Sequence, residues 1–341
     1  MMATERDKLF DVSKGIAILL VVVGHIITAQ GIVFFSISAC HMPLFFFVSG
    51  FFFEKSITKY EEKTVIIKKT KTLLIPFISW SIIAFIINSF FLDDRLGIFE
   101  QAKEIFLHAR SVWFLLALYF ANVLFIIIGL VCKKIKISFN KCSIVTSVLL
   151  IFCNSISFFA IYKLEWLAIY FAIGICMAQN EYFNNTILRI KTRNEYLQGI
   201  VSASLLIVYV VLVNILINLK LFEEFYVRFD LNSSHILYYL GYYVLGCLGI
   251  LLIIEISSLI LKTNYLERWF SKLGKYSLDI YVMHMFFVKA VDLLHLDKTK
   301  YFYEIIYVAI SVAICGIITL VADKVLNRIT LYKFIMGRDI K

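Results

Sequence analysis

Long apolar stretches separated by short polar connections run through nearly all of the 341 residues. Ten can be read, near residues 13–31, 34–53, 73–92, 112–132, 143–161, 164–179, 199–219, 236–261, 273–291 and 302–322. About twenty apolar residues in a helix span the hydrocarbon of a bilayer. With no water there to satisfy the backbone, such a segment must bond to itself, so each stretch predicts a transmembrane helix, the sixth being short. Only two prolines occur, and no low-complexity linker, repeat or soluble appendage interrupts the pattern. The tail after Asp323 is too short to fold alone. The expectation is an all-α polytopic membrane protein: about ten helices in one bundle, forming a single domain over residues 1–341.

Composition agrees. Hydrophobic residues make up 61% of the chain and charged ones 17%, with a mean hydropathy of +0.86, which excludes an ordinary soluble domain. Starting the chain in the cytoplasm and sorting its 34 Lys and Arg by side places 25 inside and 9 outside. Cytoplasmic connections carry that excess, so both termini are expected in the cytoplasm and the protein in the inner (plasma) membrane as a multi-pass protein. The same bias accounts for the net charge of +10 without any nucleic-acid-binding face. The seven cysteines lack C-x-x-C pairing and fall mostly in or beside apolar spans, so neither a disulfide nor a zinc site is expected. Ile37-Ser-Ala-Cys40 has the outline of a lipoprotein cleavage box, but cleavage there would discard the first helix. A removable signal peptide is not expected either, because nine further spans follow the first.

The first span carries the most informative polar residues: Asp11, Lys14 and, beyond a Val- and Leu-rich run, His25. An ionisable group in hydrocarbon is costly, so its default reading is functional, with a partner to be found. Lys14 and His25 are eleven residues apart, about three turns plus 20°, and therefore share a helix stripe with a rise of about 16 Å between them. Asp11 falls within about 40° of that stripe. Lys14 is expected at one membrane surface and His25 about half a bilayer deeper. The plainer alternative is a packing or proton-relay histidine.

Other constellations each allow two readings. Cys40-His41-Met-Pro43 opens the second span, with Pro43 in the first turn, where its missing N–H costs nothing. His41 either caps the interface or shares an outward cavity with His25. Lys68 and Lys71, three apart ahead of Pro76, share a face if the third helix begins early. They suit a phosphate-bearing ligand or serve as ordinary basic anchors. Arg110 and Trp113 enter the fourth span, able to hold a sugar ring or simply to join the aromatic belt. Tyr281 and His284 share a face of the ninth span, lining a polar interior or packing between helices. Glu165 and Glu255, near helix ends, are explained by solvation. Asp292, His295 and Asp297 make only a weak metal motif, and no metal is assigned.

In these residues the chain resembles the integral-membrane acyltransferase-3 family, bacterial proteins that O-acylate cell-surface glycans. The resemblance covers essentially the whole length, including the ten-span layout. It rests on Lys14 followed by ten residues and His25; on His41-Met-Pro43 leading through an aromatic run to Ser49-Gly50; and on Lys68-x-x-Lys71 before Pro76, with Lys where Arg is more usual. Trp113-Phe-Leu and Tyr281-x-x-His284 add to it. The Phe-rich second span is most similar to the sugar O-acetylase branch. The resemblance implies transfer of an acyl group, acetyl first, from acyl-CoA as donor substrate to a hydroxyl of a cell-envelope saccharide, with no bound cofactor. Lys14, Asp11, Lys68 and Lys71 would serve the donor, His25 the chemistry, and His41, Arg110, Trp113, Tyr281 and His284 the acceptor pocket. The alternative class is a polytopic transporter of saccharides or lipid-linked intermediates, with His25 and His284 relaying protons. No inverted repeat or pair of interrupted helices speaks for it.

Overall fold

The computed structural model describes residues 8–27, 31–91, 97–109, 112–153, 159–219, 233–292 and 301–339. Among them there is no strand. In chain order the helices are α1 (Lys8–Ile26), α2 (Ile32–Ser38), α3 (His41–Lys59), α4 (Glu62–Lys69), α5 (Ile75–Phe91), α6 (Ile98–Ala102), α7 (Trp113–Ile135) and α8 (Phe139–Leu149). They continue as α9 (Tyr162–Ala178), α10 (Glu181–Thr192), α11 (Glu195–Asn218), α12 (Ser233–Ile260), α13 (Asn264–Lys275), α14 (Ser277–Asp292), α15 (Tyr301–Lys324) and α16 (Thr330–Ile335).

Among the described residues seven segments are long and apolar enough to cross a membrane: Lys8–Ile26, Ile32–Lys59, Glu62–Ser89, Trp113–Ile135, Glu195–Asn218, Tyr239–Ile260 and Ile305–Arg328. The other three expected spans are shorter helices. α8 has 11 residues, α9 has 17 and α14 has 16. At 1.5 Å per residue these rise about 16, 26 and 24 Å, against a hydrocarbon thickness of about 30 Å.

The described residues form two compact units. The first joins the chain up to Val48 to Asn180–Val325, and α1 is its hub, packed against α2, α12, α13, α14 and α15. An apolar helix contacted on every side must be apolar all round. Accordingly 67% of the most apolar stretch of α1 is buried, against 22% for that of α11. The first helix is displaced toward the N-terminus from the expected 13–31. Leu9 and Phe10 are essentially inaccessible and draw that end of the helix into the core, so Lys14 lies more than one turn inside α1 and His25 occupies its last turn.

Glycine decides how closely α1 and α13 approach. A Cβ on Gly15 would fall on the Phe270 carbonyl, and one on Gly274 would fall on the Asp11 carbonyl. The two glycines thus let the helix backbones touch beside Asp11 and Lys14. Ser13 Oγ reaches Leu9 O at 2.9 Å and Ser257 Oγ at 2.8 Å, tying α1 to α12 as well.

The second unit joins Ser49–Gln179 to the C-terminal segment from Leu326, with α7 as its hub against α4, α5, α8 and α9. Glu62–Ser89 runs as one helical rod with a π-turn at Thr70–Leu74. The wider turn stands just before Pro76, which cannot donate to the Thr72 carbonyl and would crowd it in a regular helix.

Candidate functional site

The first unit gathers most of the predicted site residues along and around α1. At its start, Lys14 Nζ meets Asp11 Oδ1 at 2.8 Å, one helical turn apart. Asp11 is buried and Lys14 half-buried, so the carboxylate orients an ammonium that still reaches solvent. The Gly15 and Gly274 contacts hold this turn against α13.

Eleven residues on, in the last turn of α1, the His25 ring is exposed. Its neighbour is the ring of His284 from α14, with centroids 5.1 Å apart and planes tilted by 43°. His284 is buried. Its Nδ1 lies 2.6 Å from Tyr281 O and 3.2 Å from Ile280 O. Carbonyl oxygens only accept, so Nδ1 carries the proton and Nε2 the lone pair. That Nε2 is inaccessible and has no hydrogen-bond partner. A buried, unpartnered acceptor beside an accessible imidazole gives a place for a proton to go. Tyr281 completes the cluster, its ring 5.9 Å from that of His284.

His41 begins α3, with Pro43 in the first turn as the sequence predicts. Its Nδ1 donates to Ile37 O at 2.5 Å, which leaves Nε2 as the acceptor. The side chain of the same Ile37 packs at Gly24, 3.2 Å from where a Cβ there would stand, which brings the start of α3 to the last turn of α1 beside His25. The structure therefore groups His25, His284, Tyr281 and His41 around one end of α1, with Asp11 and Lys14 toward the other.

Lys68, Lys71 and Trp113 belong to the second unit. Because the rod begins at Glu62, the condition for Lys68 and Lys71 to share a face is met, and both are exposed. Lys68 Nζ lies 5.7 Å from the Tyr60 ring centroid, and Lys71 is 3.9 Å from Asp339. Trp113 is half-buried at the start of α7, with Lys163 Nζ 5.0 Å from its ring centroid occupying one indole face. Arg110 lies outside the described residues, as do His295 and Asp297. Among the described residues no group of three or more His, Cys, Asp or Glu is placed to hold a metal ion.

Several polar features had no local signal in the sequence. Glu255, expected to be solvated, is buried and paired with Arg193 at 3.0 and 3.1 Å across 62 residues of chain. Glu165, also expected to be solvated, is buried. In the second unit Gln179 Nε2 donates to the buried Glu54 at 2.5 Å, and Asn140 donates to Gln179 at 2.9 Å. The juxtaposition of His25 and His284, 259 positions apart, is likewise a product of the fold.

A protein-family model described as an acyltransferase domain matches residues 7–321. No curated protein and no solved structure matches the chain.

Proposed function

Since the chain belongs to the acyltransferase-3 family and is a membrane acyltransferase, we propose that it moves an acyl group, acetyl first, from acyl-CoA to a hydroxyl of a cell-envelope saccharide. One observation carries the assignment of the chemistry. The accessible His25 imidazole abuts a buried His284 whose Nε2 lone pair is unused, on the helix that also carries the Lys14–Asp11 pair.

The residues divide the work by position along α1. Lys14, oriented by Asp11, is a fixed cation for the phosphates of CoA; within the second unit, Lys68 and Lys71 are exposed cations suited to a phosphate-bearing donor. The rise of about 16 Å from Lys14 to His25 means that the extended thioester arm, rather than the nucleotide, reaches the imidazole. His25 takes the proton of the acceptor hydroxyl as that oxygen attacks the thioester carbonyl. The tetrahedral adduct collapses, its C–S bond breaks, and the departing CoA sulfur receives the proton from the imidazolium. In the covalent variant, His25 itself attacks the thioester and the sugar hydroxyl then takes the acyl group from nitrogen. In either route His284 Nε2 accepts a hydrogen bond from His25 once the site is filled, holding its second nitrogen toward the reacting atoms.

The layout that goes with this function has ten spans, with both termini in the cytoplasm of the inner membrane. It is supported by the excess of Lys and Arg on the inner connections. His41 and Tyr281 are assigned to the acceptor, His41 because it is bonded to Ile37, whose side chain packs at Gly24 beside His25. The test is release of free CoA by the purified protein, dependent on both a glycan acceptor and His25. A transporter would consume no thioester.

A further inference from the structure

Where the span Glu195–Asn218 begins and the span Tyr239–Ile260 ends, the first unit carries an open groove of about 1110 Å³. None of the residues assigned to acyl transfer lines it. Its mouth is cationic, lined by Lys191, Arg193 and Lys262. Arg193 is clamped by the Glu255 carboxylate, which also accepts from Gln198 Nε2 at 3.4 Å. Lys262 donates to the Arg193 carbonyl, so its ammonium is held at the mouth with further N–H donors to offer. The lining carries three cations, Lys191, Arg193 and Lys262, and one carboxylate, Glu195, with the Glu255 carboxylate bound to Arg193.

Below the cations the lining turns apolar, with Gly199, Ala203 and Leu259. Gly199 and Ala203 are four residues apart and so lie on one face of α11. A Cβ added at Gly199 would meet nothing within 4 Å. The small residue there does not admit a neighbouring helix, as Gly15 does, but leaves a furrow open.

A cationic mouth at the level where two apolar helices leave the hydrocarbon, above a furrow of small side chains, has the shape and charge of a bound phospholipid. We propose that this groove binds an anionic glycerophospholipid, its phosphate on Lys191 and Lys262 and one acyl chain along Gly199 and Ala203. The site is independent of the transfer reaction.

The test uses the purified full-length protein in detergent and counts bound lipid by native mass spectrometry with added dioleoyl-phosphatidylglycerol or dioleoyl-phosphatidylcholine. Phosphatidylglycerol should be retained about tenfold or more over phosphatidylcholine, and K191Q/K262Q should weaken it roughly thirty-fold, from about fivefold per basic residue near an anionic headgroup. G199L projects a side chain into the furrow from a position where a Cβ meets nothing within 4 Å; it should reduce phosphatidylglycerol binding while leaving the lipid-free melting temperature unchanged. Equal retention of the two lipids would overturn the proposal, as would binding indifferent to both sets of substitutions. Displacement of phosphatidylglycerol by equimolar inorganic phosphate would also overturn it, since the site would then take free phosphate.

Discussion

The imidazoles of His25 and His284 stand 5.1 Å apart, joining the last turn of α1 to α14. His284 anchors its Nδ1 proton on backbone carbonyls, and its Nε2 is buried without a hydrogen-bond partner. If the two act as a unit, their losses will not add. H25A should lower acyl transfer by a factor of about 10² to 10⁴ and H284Q by about 10², while the double variant should be no worse than H25A alone. Rates of labelled acetyl transfer from the three proteins decide this. A double variant slower by the product of the single effects would show two independent roles.

At the other end of the stripe, Lys14 is held by Asp11 at 2.8 Å. K14A should raise KM for acyl-CoA about tenfold, near the value of one charge-assisted contact, with little change in KM for the acceptor. D11N should raise the donor KM in the same direction and also lower the melting temperature, because it leaves a half-buried ammonium without its counter-charge. Steady-state kinetics with each substrate varied in turn checks both. An equal rise in the two KM values for K14A would remove Lys14 from donor binding.

The backbone contact between α1 and α13 sets the stability of the same region. G15A and G274A each force a methyl group onto a carbonyl of the facing helix and should cost about 1–3 kcal/mol as overpacking. Gly316, on α15, has open space where its Cβ would be. There alanine should be neutral or stabilise by up to about 1 kcal/mol through helix propensity. Melting in detergent separates the two classes, and equal effects at all three positions would contradict the close approach.

Lys68 and Lys71 are exposed cations on one helical rod, and the ion pair of Lys71 with Asp339 is open to solvent. Such a pair contributes about 0–1 kcal/mol, so D339N should leave the melting temperature unchanged. K68A/K71A should raise the donor KM, and raising ionic strength should weaken acyl-CoA use less in that variant than in the wild type. An unchanged donor KM would leave these lysines as basic anchors of the membrane surface.

Much of the fold is legible in the chain because lipid imposes it. A segment such as Trp113–Ile135 must be helical and long, and its hydropathy says so before any packing is known. The displaced start of α1 was not legible, because hydropathy cannot tell that Leu9 and Phe10 meet a core. The helices α9 and α14 were legible as apolar segments at 164–179 and 273–291, but at 17 and 16 residues they are shorter than the seven long spans. Within the site, Lys14 and His25 could be placed on one stripe from periodicity, and Asp11 with them. The partner of His25 could not be identified, since His284 comes from a helix 259 residues later. The Gly15 and Gly274 contact was equally hidden, because a glycine that admits a helix and one that leaves a furrow, such as Gly199, look alike in sequence.

The most direct measurement incubates the purified full-length protein with radiolabelled acetyl-CoA and a cell-envelope glycan acceptor, following label in the glycan and free CoA together. Wild type should release CoA and label glycan in equal amounts, and H25A should do neither above background while keeping its melting temperature. Wild-type rates of both in H25A would contradict His25 as the catalytic residue, and glycan handling without thioester consumption by the wild type would contradict acyl transfer itself.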